Sequence, residues 1–307
     1  MFTLGCGTTS PALQRDYRQE MRTFVQDLSA YAKAQKPNFF IIPQNGHELL
    51  LNNPTDYFKA IDGVGQESLF FGYPQNDQPT PSESRDYLIS LLNIAKSNQI
   101  RVIVTDYCHT PQNVDASYAQ NAQNNYLSFA ANRRDLDQIP PYPLQPSNQN
   151  SQDINNLTQA QNFLYLINPG AFETRQAFLE ALQQTNYDLI FIDLFTGQNA
   201  LTAEEVATLK QKKDGGRRIV VAYMSIGEAE DYRYYWQISW AMTPPEWLGA
   251  ENPNWAGNYK VQYWNPDWQR IIFGHTNAYL DRILNAGFDG VYLDIIDAFE
   301  YYETTGE

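Results

Sequence analysis

The strongest constraint on the fold is a rhythm. Short apolar runs at residues 39–43, 62–66, 101–105, 127–131, 163–167, 189–193, 219–224 and 290–294 alternate with stretches of helical periodicity. A continuous apolar run such as "FFII" suits a strand buried on both faces, as in a parallel sheet covered by helices. Residues 12–35 show the helical pattern: Leu13, Tyr17, Met21, Phe24, Val25, Leu28, Tyr31 and Ala32 recur at three- and four-residue spacing before Pro37. "TAEEVATLKQKK" opens with Thr202 and Glu205 at capping-box spacing. "NPDWQRIIFGHTNAYLDRILNAG" offers Asn265 as N-cap, Pro266 in the first turn and Gly287 as the stop. Eight strands alternating with helices in 307 residues predict an α/β protein, a single (β/α)8 TIM barrel.

The order of elements is unusual for that barrel. It starts with a helix and ends after the strand at 290–294, whose outer face stays bare unless helix 12–35 lies across it. In a closed barrel, strands 290–294 and 39–43 are neighbours, so the two ends of the chain meet. That is the topology of a circularly permuted barrel. The polar stretch 143–160, "PLQPSNQNSQDINNLTQA", reads as a linker across the ancestral ends. Residues 225–264 form a long excursion before the last strand, and all six tryptophans fall within 236–268. This aromatic-rich loop is expected over the strand ends, with its rings either packing the loop itself or stacking on a ligand. The domain expectation is a tail at 1–14 and one barrel at 15–307.

The formal net charge of −14 argues against a nucleic-acid partner, which needs a basic face. It suits a cationic ligand, or simply a soluble surface. No apolar run approaches the ~20 residues of a membrane span. Of two cysteines, Cys6 in "TLGCGTTS" resembles the end of a bacterial lipoprotein signal, although the apolar stretch before it is too short for a complete one. The expectation is an extracellular or cell-envelope monomer whose only membrane attachment is a lipid at Cys6. Cys108 reads as a small residue at a strand end.

In a barrel of this type the chemistry sits at the C-terminal ends of the strands. Those positions hold Gln44 and Asn45, Glu67, Asp106, Asn168, Asp193, then Tyr223, Ser225 and Glu228, then Asp294 and Asp297. Any one strand-end acid is ordinarily a helix cap or the partner of an arginine. Five strands each offering a carboxylate is a different matter. Mutual repulsion raises at least one pKa, and a protonated acid beside an ionised one is the equipment of glycoside hydrolysis. An oxygen-ligand metal site among these carboxylates, as in a metal-dependent polysaccharide hydrolase or deacetylase, is the alternative chemistry. A barrel that binds carbohydrate without turnover is the alternative function. His47, His109 and His275 are the three histidines, and no HExxH or Cys/His cluster suggests zinc. There is no GxSxG elbow, Walker loop or GxGxxG fingerprint, and no cofactor is expected.

Three long motifs, "VVAYMSIGEAEDYRYYW", "NWAGNYKVQYWNPDWQRII" and "GFDGVYLDIIDAFEYY", resemble the extracellular glycoside hydrolases related to endo-α-1,4-polygalactosaminidase, glycoside hydrolase family 114. "FFIIPQNGHELL", "AIDGVGQESLFFGY", "IRVIVTDYCHT" and "RRDLDQIPPYP" are similar to the same family. The resemblance covers all but 1–14 and 143–160. It implies a (β/α)8 barrel with the two halves in swapped order, and a polysaccharide substrate, galactosamine-rich in the characterised relatives. It also implies that Asp294 of "YLD" and Glu67 of "GVGQE" form the catalytic pair. Asp193, Tyr223, Glu228 and Arg233 would surround the substrate, with Gln44 and Asp297 among the binding residues. Tyr232 and Trp264 would stack on a sugar face, and Asp106 and Asn45 would bind hydroxyl or amine groups.

Overall fold

The computed structural model describes residues 15–306, a mixed α/β chain built around parallel strands. Cys6 and the rest of the 1–14 tail lie outside the described residues. All eight expected strands are present: β1 (Phe40–Pro43), β2 (Gly63–Glu67), β3 (Arg101–Tyr107), β4 (Leu127–Ala131), β5 (Phe163–Tyr165), β6 (Leu189–Asp193), β7 (Ile219–Ser225) and β8 (Gly290–Asp294). β7 is buried at every position, as its unbroken apolar run requires.

One parallel sheet runs β1-β8-β7-β6-β5 and a second runs β2-β3-β4. They are joined where Gln44, just past β1, bridges in parallel to Gly65 of β2. At the other side, the rings of Phe129 on β4 and Phe163 on β5 pack with centroids 5.6 Å apart. First and last strands are direct neighbours, with Phe40 opposite Gly290 and Pro43 opposite Leu293.

Helix Tyr17–Gln35 begins where the Asp16 side chain accepts from the Gln19 amide. Its apolar stripe of Met21, Phe24, Val25, Leu28 and Ala32 is wholly buried. The expectation of a chain ending on a bare strand needs correction. β8 is followed by helix Ala298–Thr305, which buries Ala298, Phe299 and Tyr302. The two helices meet, and Arg18 grips Glu303 with two hydrogen bonds of 2.8 and 2.9 Å. The i, i+3 and i+4 spacing of these three residues was the available sign of that last helix.

Segment 143–160 is irregular but not loose, as a linker would be. Ile154, Leu157 and Ala160 are buried. The Asn150 amide donates to Asp188 just before β6, and Lys212 pairs with the same carboxylate at 2.9 Å, both side chains fully inaccessible. The segment therefore lies pinned beneath the N-terminal end of the sheet.

The aromatic excursion folds on itself. Strands Glu228–Glu230, Leu248–Glu251 and Asn258–Val261 make a small antiparallel sheet. Trp236, Trp240, Trp247 and Trp268 form a chain of rings with successive centroids 5.1 Å apart. The Trp268 indole N–H donates to the Ile226 carbonyl at 2.9 Å. Trp240, Trp247 and Trp268 are buried and pack the loop, while Trp236 is partly exposed.

Candidate active site

The C-terminal ends of β1, β2 and β8 share one backbone device. In each, a residue one or two positions past the strand takes a left-handed conformation: Asn45 (φ 59°) follows Gln44, Ser68 (φ 53°) follows Glu67 and Ile295 (φ 58°) follows Asp294. For a β-branched residue such as Ile295 this costs on the order of 1–3 kcal/mol. The turn lets Asp294 Oδ1 accept from the Ile295 amide at 2.8 Å. Gly227 makes room for it, since a Cβ there would collide with the Ile295 carbonyl.

Glu67 sits in a ring of donors. Gln44 Nε2 donates to Oε2 at 2.7 Å, Asn45 Nδ2 donates to the same oxygen at 3.1 Å, and the Tyr107 hydroxyl donates to Oε1. Gln44 is itself oriented from across the sheet, where the Tyr165 hydroxyl donates to its Oε1 at 3.0 Å. Arg134 lies over the Tyr107 ring, 4.2 Å from its centroid, and donates to Ser68 Oγ at 3.0 Å. Arg134 thus ties Tyr107, which donates to Glu67, to the turn that follows Glu67.

Asp294 is only partly exposed, and the Tyr223 hydroxyl donates to its Oδ2 at 2.6 Å. Burial and the neighbouring charge of Glu67 push its pKa up to about 7, against the pull of the Tyr223 hydrogen bond. Asp297 is raised to about 6, by burial and then by Glu300. Beneath the two carboxylates lies an aromatic floor. Tyr292 stacks on Phe191 at 4.3 Å and meets Tyr165 edge-on at 5.2 Å. Its buried hydroxyl has no hydrogen-bond partner among the described residues, and a Cβ on Gly65 would collide with it.

A second group lies at the end of β6. Arg233 pairs with Asp193 at 2.8 Å and with Glu230 at 2.6 Å. Burial works against its charge, but the two carboxylates win and hold its pKa above the usual value. Tyr232 is half exposed, with its hydroxyl on Glu230 at 2.6 Å and its ring 5.3 Å from the Arg233 guanidinium.

The structure thus brings Gln44, Asn45, Glu67, Tyr223 and Asp294 together, and sets Asp193, Arg233 and Tyr232 beside one another near them in strand order. Three expectations are corrected. Asp106 is fully buried on the other face of β3, where its oxygens accept from the amides of Phe70 and Phe71 and from Ser117 and Asn121. Glu228 is fully buried and taken up by Lys260 at 2.5 Å and Asn252 at 2.8 Å. Trp264 packs between the first and last helices, 5.1 Å from Tyr17 and 4.7 Å from Tyr302. Neither acid has a free oxygen for a sugar, and the indole faces are spent on the helix seam.

Sequence reasoning missed Tyr107, Tyr165, Tyr292 and Arg134. For Tyr107 the signal was strand parity. Successive side chains point to opposite faces, so in "VTDY" only one of Asp106 and Tyr107 faces Glu67, and it is the tyrosine. Among the described residues, no three of His, Cys, Asp and Glu gather closely enough to hold a metal ion.

Two carboxyls at the ends of β2 and β8, the parallel strands on either side of β1, one with a raised pKa and each held by a tyrosine, have the make-up of a carboxylate acid–base pair. The model of glycoside-hydrolase family GH114 matches residues 143–306, and the chain belongs to that family. Among its relatives is an uncharacterized protein of Methanocaldococcus jannaschii, 41% identical over 160 residues, which are 51% of this chain and 43% of that one. An uncharacterized protein of Thermotoga maritima is 44% identical over 118 residues, 33% of this chain and 35% of the relative. One of Deinococcus radiodurans is 40% identical over 128 residues, 42% and 39% of the two chains. The chain matches less than half the length of each.

Proposed function

We propose that this glycosidase cleaves an extracellular polysaccharide, galactosamine-rich in composition, with Asp294 and Glu67 as its catalytic pair. The observation that carries the reading is the coupling of those two groups: the field of Glu67 helps to lift Asp294 to about 7. Around neutral pH Asp294 still holds its proton part of the time. One carboxyl protonates the glycosidic oxygen as its bond to C1 breaks; the other, ionised, meets the positive charge growing at C1, directly or through a water. Tyr107, Gln44 and Asn45 hold Glu67 with its oxygens placed, and Tyr223 does the same for Asp294. A fixed pair needs no reorganisation as charge develops. The half-exposed Tyr232 offers a ring to a sugar face, and an acidic chain attracts a glycan bearing free amines.

The reading includes the architecture. The eight strands close as a (β/α)8 barrel, supported by the Gln44–Gly65 bridge on one side and the Phe129–Phe163 packing on the other. The chain is a circular permutant, supported by the pairing of β1 with β8 and by a family match that begins at 143, within the irregular segment. It acts as a monomer outside the cell or at the cell envelope, with Cys6 as a lipid attachment point.

The test is reducing-end release from a partly deacetylated galactosaminan by wild type, Glu67→Gln and Asp294→Asn. Release by wild type alone supports the assignment. Equal release by all three removes the pair from the mechanism. Binding of the glycan without release by any of them moves the chain to a carbohydrate-binding role.

A further inference from the structure

A cavity of about 400 Å³ opens beyond the ends of β5 and β6, lined by residues of the segments 168–175 and 196–197. It lies at the same end of the strands as Asp294 and Glu67 but away from them. β7 stands between β8, which carries Asp294, and β6. Two to three strand spacings, roughly 10–14 Å, therefore separate it from Asp294. Its volume falls in the range of ~300–1,000 Å³ usual for small-molecule sites.

Its wall has the composition of a sugar site. Phe172 offers a half-buried ring, fixed by an edge-on contact with Phe178 at 5.3 Å. Asn168 spends its amide N–H on the Asp135 carbonyl at 2.6 Å, and its side-chain oxygen has no protein donor among the described residues. Thr196 Oγ1 is buried with no hydrogen-bond partner among the described residues. Such a hydroxyl is rare in a folded chain, because leaving it unmade costs about 1–3 kcal/mol.

The charges are unequal. Arg175 is committed to Glu205 and to the carbonyls of Asn199 and Ala200, at 3.0 and 2.8 Å. Glu173 is exposed and makes no ion pair or hydrogen bond among the described residues. The cavity thus presents one uncommitted charge, and it is negative.

We propose that this cavity is a second sugar-binding subsite, remote from the bond cleaved, that takes one pyranose ring on Phe172 and favours a unit bearing an ammonium group through Glu173. The proposal rests on the glycosidase reading for the identity of the chain it grips. It makes the protein prefer long chains, which reach both the cavity and the catalytic pair, over short ones that reach only the pair.

Gly170 supplies the test. Gly170 lines the cavity and a Cβ there would meet nothing within 4 Å, so Gly170→Trp starts its side chain in open space and obstructs the cavity. Phe172→Ala removes the platform, and neither residue touches Asp294 or Glu67. Cleavage of galactosamine oligomers of two lengths is measured for wild type and both variants, alongside calorimetric binding of the long oligomer in a Glu67→Gln background. Both variants should lose roughly tenfold in kcat/KM on the long oligomer, about the worth of one aromatic platform, and nothing on the short one. Glu173→Gln should show that loss for free-amine oligomers and not for N-acetylated ones. Cleavage by wild type with no length-dependent loss in the variants overturns the subsite and leaves the glycosidase reading intact. Binding weakened by Gly170→Trp without cleavage by wild type keeps the subsite and overturns the glycosidase reading. No binding by any form overturns both.

Discussion

The Tyr223 hydroxyl donates to Asp294 Oδ2 at 2.6 Å, and it is one of the two hydrogen bonds that restrain a carboxyl otherwise lifted by burial and by Glu67. A hydrogen bond to the charged form lowers a pKa, so its loss raises it. With wild type, turnover should fall on the alkaline side as Asp294 titrates around pH 7. In Tyr223→Phe that limb should move to higher pH, and in a pH–rate profile the two curves should cross. A limb that stays in place would separate Tyr223 from the titration.

Stability should carry the same signature. Unfolded, Asp294 loses its proton near the ordinary carboxylate value of about 4; folded, it keeps it to about 7. Between those values the folded state binds more protons than the unfolded one, so stability falls as pH rises through that window. Asp294→Asn removes the cost. Its melting temperature should exceed that of wild type at pH 8, with roughly 1–3 kcal/mol gained, and the two should converge near pH 4. Thermal melts at the two pH values decide this.

Tyr107→Phe takes one of three donors from Glu67 and leaves the ring that Arg134 covers. The fold should survive with a loss of about 1 kcal/mol, while kcat falls on the order of tenfold to a hundredfold because Glu67 is less well held. An unchanged kcat in steady-state assays would show that Gln44 and Asn45 suffice.

Beneath the sheet, Lys212 and Asp188 form an ion pair with no exposed atoms. Lys212→Met leaves the Asp188 charge buried with, among the described residues, Asn150 and the Gln161 amide as its remaining donors. Denaturant titration should show a loss of about 3–5 kcal/mol, and Lys212→Met with Asp188→Asn should recover part of it.

Gly65→Ala should destabilise by about 1–3 kcal/mol, since the new methyl collides with Tyr292 in the aromatic floor. A melting temperature equal to wild type would mean that Tyr292 has room to shift.

The strands were legible because burial on both faces leaves a local trace: an apolar run such as 219–224 can be read without knowing what covers it. The same holds for the strand-end residues Gln44, Asn45, Glu67, Tyr223 and Asp294, whose positions follow once the strands are counted. What each side chain does there is not local. The adjacent acids Glu67 and Asp106 read alike in sequence, yet one stands among donors from β1 and β3 and the other is swallowed by its own helix. Strand parity separates them, and the partners that complete the separation lie from tens to hundreds of residues away: Tyr165 for Gln44, Lys260 and Asn252 for Glu228, Tyr17 and Tyr302 for Trp264. The raised pKa of Asp294 belongs to the same class, because it arises from a charge on a different strand and from burial beneath both. Periodicity is written along the chain, so sequence alone determined the elements; proximity across strands is made by folding, so only the tertiary structure decided which carboxylates are free to act.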